Sequence, residues 1–319
     1  MSPSHAVAAV PYQELGQIVS LVVNAVQSPQ SKRAYKRSVL DFLAWYRAGG
    51  YNCLNKAVVQ QYRVDLEQSG LASSSINLKL TGVRRLAAEA ADNGLLAPEL
   101  ATGIARVKGV SARGTRTGHW LTRAQVEELL AIPDAGTNKG RRDLVILSLL
   151  VGCGLRRTEL VQLTFEQIQQ RDGRWVVANL VGKGNRVRTV PMPAWAKVML
   201  DQWSAASGLA NGPVLRAVNK SGRVLEDVII SAQSVFNVVR GYGIDLALKI
   251  APHDLRRTFA KLAHVGHAAL EQIQLSLGHS SILTTERYLG VRQNLADAPC
   301  DHLGLSIAPP ADDIARRGN

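Results

Sequence analysis

The apolar stretch LVILSLLVGCGL, Leu144 to Leu155, constrains this chain more than any other segment. It falls short of the ~20 apolar residues that a helix needs to cross a bilayer, and Gly152 and Gly154 interrupt its end. It is expected to be a core helix, which demands enough surrounding chain to cover it. At 319 residues, 46% of them hydrophobic, the chain can supply that cover and is expected to form one large or two modest domains.

What surrounds the core helix is basic. The net charge is +13, and it is spread: residues 1–116 hold 14 Lys/Arg against 7 Asp/Glu, and residues 117–319 hold 24 against 18. A basic chain without a long apolar segment is expected to meet a polyanion, nucleic acid in preference to lipid. The N-terminal MSPSHAVAAVPYQ lacks the charged start and apolar run of a signal peptide. Cys53, Cys153 and Cys300 have neither disulfide-framework nor CxxC spacing. Together these predict a protein of the reducing cytoplasm that meets nucleic acid, with no membrane partner.

Helical spacing of Leu15, Ile18, Val19, Val22, Val23 and Val26 predicts a first helix. A second is expected from Ser31 through Trp45, stopping near Gly49-Gly50, and a further one begins in SSSINLKL with Ser74 or Ser75 as its cap and Gly94 as its stop. Residues 1–106 thus read as a small helical domain. VKGVSARGTRTGHW has no period and reads as a basic linker, 107–120. Regular structure restarts at LTRAQVEELL, where Thr122 and Gln125 have capping-box spacing. β-branched runs on either side of Gly182-Lys183-Gly184-Asn185 predict a hairpin with a lysine at its tip, and from Pro252 helical patterns return with Leu255, Phe259, Leu262 and Ala263 on one face. The fold class is therefore mainly α, with a small sheet in residues 121–295 and a tail from 296 to 319.

Five short motifs carry chemistry-bearing residues, and each alone has an ordinary structural explanation. GLRRTEL puts Arg156 at the end of the buried helix with Glu159 three residues on. GKGNRVRTVP holds Lys183, which is either a plain basic turn or a lysine able to reach into a site. HDLRRTFA sets His253 and Arg256 three apart on one helix face. Arg256 falls at the edge of the apolar stripe and, if partly buried, needs an anionic partner, whereas Arg257 points further away. LGHSS contains His279, and TTERY contains Tyr288, one of only two tyrosines beyond residue 63, the other being Tyr242.

In order and spacing, the set Arg156, Lys183, His253, Arg256, His279 and Tyr288 resembles the tyrosine recombinase (phage integrase) family. The resemblance covers about residues 118 to 295 and, more loosely, the helical half before them. It implies a SAM-like N-terminal core-binding domain and an α-rich catalytic domain. Departures are small: Cys153 precedes Gly154 where a small hydroxylated residue is more usual, Arg257 often varies, and Leu289-Gly290 replaces a more polar pair.

The resemblance implies that Tyr288 attacks a DNA phosphodiester. Arg156, Arg256 and His279 would stabilise the charge that builds on the non-bridging oxygens, with Glu159 orienting Arg156 from behind. His253 is the candidate base and Lys183 the candidate acid for the leaving 5′-oxygen. The implied product is a 3′-phosphotyrosyl link, reversible without ATP, and no metal or other cofactor is expected. Candidate phosphate contacts are Lys32, Arg33, Lys36, Arg37, Lys79, Arg84 and Arg85, Arg113 and Arg116 in the linker, and Arg186 and Arg188 after the hairpin turn. The expected partner is double-stranded DNA with paired half-sites, bound by a homotetramer on synapsed DNA, the protein being a monomer in solution. The tail either folds back or is exchanged between protomers. A type IB topoisomerase and a non-catalytic DNA-binding regulator are the alternatives; a metal-dependent nuclease would need a ligand cluster that the spacing does not offer.

Overall fold

The computed structural model describes residues 12–111, 119–182 and 186–289, with the backbone alone at 12–17, 287 and 288. The chain divides into two compact units, Met1–Arg116 and Thr117–Asn319. The expected tail, 296–319, lies outside the described residues.

The first unit is helical: α1 Tyr12–Asn24, α2 Pro29–Ala48, α3 Lys56–Gln68, α4 Ser73–Asp92 and α5 Pro98–Ala105. Proline occupies the first turn of α2 and α5, where its missing N–H costs nothing. The serines of SSSINLKL do not cap α4 as expected; they form its first turn, and Ala72 is the N-cap. Helices α1, α2 and α4 bury Val22, Val39, Phe42, Leu80, Val83 and Leu86 against one another. Phe42 meets Tyr62 edge-on at 5.1 Å, and Trp45 stacks on Tyr51 at 4.9 Å, its indole N–H donating to Asp65 at 2.8 Å. Phe42, Trp45, Tyr46, Tyr51 and Tyr62 therefore belong to this core.

The second unit is built around α7, Asn138–Gly152, which follows α6, Arg123–Ala131, capped by the expected Thr122–Gln125 box. Residues 144 to 151 of α7 are all buried, as the apolar run predicted. The helix is enclosed by α9 (Ala194–Ser207) and α11 (Pro252–Val265). At its start Arg142 donates twice to Asp143 Oδ1, at 2.9 and 2.7 Å, so the buried charges are paired. Gly154 ends the run because φ there is +59° and a Cβ would lie 2.6 Å from the Phe259 ring; both conditions require glycine.

Between α8, Arg157–Gln162, and α9 stands an antiparallel sheet in the order β1-β2-β3: Ile168–Arg171, Arg174–Val181 and Val187–Pro191. Strands β2 and β3 form the expected hairpin, with a register shift between Val177 and Leu180. A second hairpin, β4 Arg216–Val218 with β5 Val224–Ile229, precedes α10, Ala232–Asp245. Helices α12, Leu270–Leu277, and α13, Ile282–Leu289, pack on α11 and on each other. No helix among the described residues is long and apolar enough to cross a membrane.

Candidate active site

The C-terminal end of α12 organises the site. The last carbonyls of a helix have no partner within it and carry partial negative charge. Here three successive ones are each taken by a different arginine. Arg188 Nε donates to Ser276 O at 2.9 Å, Arg256 Nη2 to Leu277 O, and Arg156 Nη2 to Gly278 O at 3.3 Å. His279 is the next residue. Gly278 makes the arrangement possible: its φ is +60°, and a Cβ would sit 2.9 Å from Arg188 Cδ.

Arg156 does not end the buried helix, as the sequence suggested, but is the N-cap of α8. Its backbone N–H and Nη1 donate to Glu159 Oε2 and Oε1 at 2.8 and 2.7 Å. Glu159 is buried and also accepts from Arg188 Nη1 and Nη2 at 2.9 and 2.8 Å. Burial pulls the Glu159 pKa upward, and the bonds from Arg188 and from the Arg156 N–H outweigh it, leaving about 2. Arg156 keeps 29% of its side chain open to solvent, so part of the fork remains available to a ligand.

Arg256, expected at the margin of the apolar stripe, is 1% exposed, and its Nη1 donates to Gly154 O. The contacts described for its two terminal nitrogens are to the backbone carbonyls of Gly154 and Leu277. Arg257 points outward and pairs with Asp254 at 3.6 Å. His253, in the first turn of α11, has an exposed ring; partial desolvation and then the charges of Arg257 and Arg256 lower its pKa from the usual imidazole value.

His279 is half-buried. Burial, then Arg256, Arg156, His253 and Arg188, lower its pKa to about 4, so the ring is neutral at neutral pH. Its Nδ1 lies 3.0 Å from Oγ1 of Thr285, a buried residue of α13. With the hydroxyl donating, the proton resides on Nε2. Thr285 was not singled out from sequence, although it belongs to the TTERY motif. Tyr288 lies three residues further along α13; its side chain is outside the described residues.

Lys183 lies outside the described residues too, but its neighbour Gly182 is at the site: a Cβ there would be 3.2 Å from Arg188 Nη1 and 3.4 Å from Arg156 Nη1. Tyr242, the other late tyrosine, donates to Asp143 Oδ2 at 3.1 Å, and burial followed by the Asp143 charge raises its pKa. That environment opposes phenolate formation.

The candidate phosphate contacts divide. Arg33, Lys36, Arg37, Arg85 and Arg186 are exposed, and Lys32 is half-exposed. Lys79 pairs with Asp41, and Arg84 donates to Val107 O within its own unit. Arg113 and Arg116 lie outside the described residues. Arg188, also expected as a phosphate contact, is committed to Glu159 and Ser276 and is 10% exposed. The strand period could have shown this, because Arg188 alternates onto the same face as buried Val190.

Comparison with known proteins agrees with this geometry. Residues 119–294 match the Phage integrase family, and residues 20–94 match the phage integrase N-terminal SAM-like domain. Tyrosine recombinase XerD of Pseudomonas aeruginosa is 30% identical over 282 residues, 85% of this chain and 90% of the relative. XerD of Pseudomonas putida is 37% identical over 177 residues, 54% of this chain and 57% of the relative. Among solved structures, XerH site-specific recombinase in a post-cleavage complex with a palindromic difH substrate aligns with TM-score 0.68 at 18% identity, covering 88% of this chain and 81% of that one. A λ integrase(75–356) dimer bound to a COC′ core site aligns with TM-score 0.67 at 14% identity, covering 88% and 95%.

Proposed function

The chain belongs to the phage integrase family, and on that premise we propose that it is a site-specific tyrosine recombinase, which cuts and rejoins duplex DNA through a covalent 3′-phosphotyrosyl intermediate. The observation that carries this reading is the capture of consecutive α12 carbonyls by Arg156, Arg188 and Arg256 immediately before His279, with Tyr288 in the helix that follows.

A phosphodiester repels nucleophiles because negative charge already rests on its non-bridging oxygens and grows as a fifth oxygen approaches. Arg156 and Arg256 are held in fixed orientation before substrate arrives, so their charge needs no reorganisation when the transition state forms. The Nε2–H of neutral His279 adds a donor whose direction is set by Thr285. The lowered pKa of His253 favours its unprotonated form, which would take the phenolic proton of Tyr288. Lys183, the residue after Gly182, which lies beside Arg156, would return a proton to the leaving 5′-oxygen. The tyrosyl ester conserves the energy of the broken bond, and attack by another strand's 5′-hydroxyl reverses the step.

The basic N-terminal unit, with Arg33, Lys36, Arg37 and Arg85 outward, would grip duplex DNA through phosphates, and four protomers would pair two sites. The reading is tested by trapping covalent protein on radiolabelled genomic fragments and sequencing the attached ends. Adducts on 3′-phosphates at one recurring pair of inverted half-sites are expected. Adducts scattered at random, with relaxation of any supercoiled plasmid, would favour a topoisomerase, and no adduct at all would leave only a DNA-binding protein.

A further inference from the structure

Arg188 is a largely covered cation in a strand, its side chain 10% exposed, and its contacts tie together three elements that the proposed chemistry needs. Its Nη1 and Nη2 hold both oxygens of Glu159, the carboxylate that in turn holds Arg156 by two bonds. Its Nε holds Ser276 O, two residues before the carbonyl that Arg156 uses and three before His279. Its stem lies over Gly278, and its Nη1 lies against Gly182, the residue before Lys183. Without Arg188, Glu159 would be free to rotate toward Arg156 alone, and β3 would lose its link to the end of α12.

We propose that Arg188 is a positioning residue for strand cleavage: it fixes the Glu159 carboxylate, and through it the Arg156 fork, against the α12 terminus. It does not contact DNA. The inference rests on the recombinase reading above, because the step it assists is the proposed phosphotyrosyl transfer. A misplacement near 1 Å at a reacting group costs about a hundredfold in rate, which sets the scale of the expected loss.

The test uses the full chain and a suicide half-site duplex carrying the cleavage position recovered from the genomic trap, with single-turnover adduct formation read on a denaturing gel. Arg188→Met is expected to slow adduct formation by about 30- to 100-fold, while half-site affinity and its salt dependence stay as in the parent chain. Arg188→Lys, which can still reach one oxygen of Glu159, should recover part of the rate. In an Arg156→Lys background, Arg188→Met should cost less than about threefold, because the group through which it acts is already altered. Losses that multiply in the double variant, or a salt slope reduced by about one ion, would overturn the assignment in favour of independent packing or a phosphate contact. If Arg188→Met melts below the assay temperature, Arg188→Gln carries the same double-variant comparison. Failure of the parent chain itself to form the adduct would instead sink the recombinase reading, and so the two failures are distinguishable.

Discussion

Replacing Arg256 by lysine separates the two tasks its guanidinium performs. In the folded protein one nitrogen donates to Gly154 O and the other to Leu277 O, carbonyls on different elements, and the side chain is 1% exposed. A lysine keeps the charge but offers one nitrogen, so one buried carbonyl loses its donor at a cost of ~1–3 kcal/mol. For a domain of this size that lowers Tm by about 2–12 °C. Cleavage should suffer more: loss of one preorganised transition-state donor costs ~2.7–4 kcal/mol, about 10²- to 10³-fold. Arg257→Lys is the internal comparison. Its partner Asp254 is 3.6 Å away in a partly exposed pair, worth at most ~1 kcal/mol, so its rate should fall less than about fivefold. Adduct formation at saturating protein, well below both melting temperatures, gives the two rates. Equal losses at the two positions would refute the reasoning, as would an Arg256→Lys protein that is destabilised yet cleaves within about fivefold of the parent.

Three further outcomes follow from the site. Lys183→Ala should nearly abolish cleavage of ordinary DNA but not of a substrate with sulfur in place of the bridging 5′-oxygen, since a thiolate leaves without a proton; no rescue by sulfur would make Lys183 a phosphate contact. Thr285→Val should release the His279 tautomer and slow cleavage about tenfold, ~1.4 kcal/mol, with Thr285→Ser restoring both; unchanged ¹⁵N shifts of the His279 ring in the Val variant would contradict this. His279 takes a proton at about 4 in the folded state against 6.5 as the ordinary value, so the unfolded chain binds that proton first. Its contribution to stability is thus present above pH 6.5 and is lost as pH falls toward 4. Glu159, lowered to about 2 from 4.5, adds a loss in the same direction only below about pH 4.5. Urea titrations across pH 7.5 to 4.5 should therefore show falling stability, with a shallower slope in His279→Asn; rising stability on acidification would be inconsistent.

Local pattern made much of this architecture legible. The core helix, the Thr122 cap, the β2–β3 hairpin and the burial of Arg256 over Arg257 all follow from periodicity and turn chemistry confined to a few residues. What escaped was set by distant partners. Strand β1 is IQQR, with no β-branched alternation to mark it, and it forms by pairing with β2. Arg188 looked like one more basic residue after a turn because nothing near it in sequence announces Glu159. Likewise no local signal places the carbonyls of 276, 277 and 278 under three arginines, since those contacts join segments 21 to 122 residues apart. Thr285 was visible in its motif but had no partner until the turn after α12 brought His279 back over α13.

The identity of the nucleophile is the most direct test of the account. Tyr288→Phe removes one oxygen and leaves the rest of the side chain, so the variant is expected to bind the half-site as the parent does. It is also expected to yield no covalent protein–DNA species on a denaturing gel, while Tyr242→Phe still forms it. A normal adduct from Tyr288→Phe, or its loss in Tyr242→Phe alone, would contradict the assignment and the mechanism built on it.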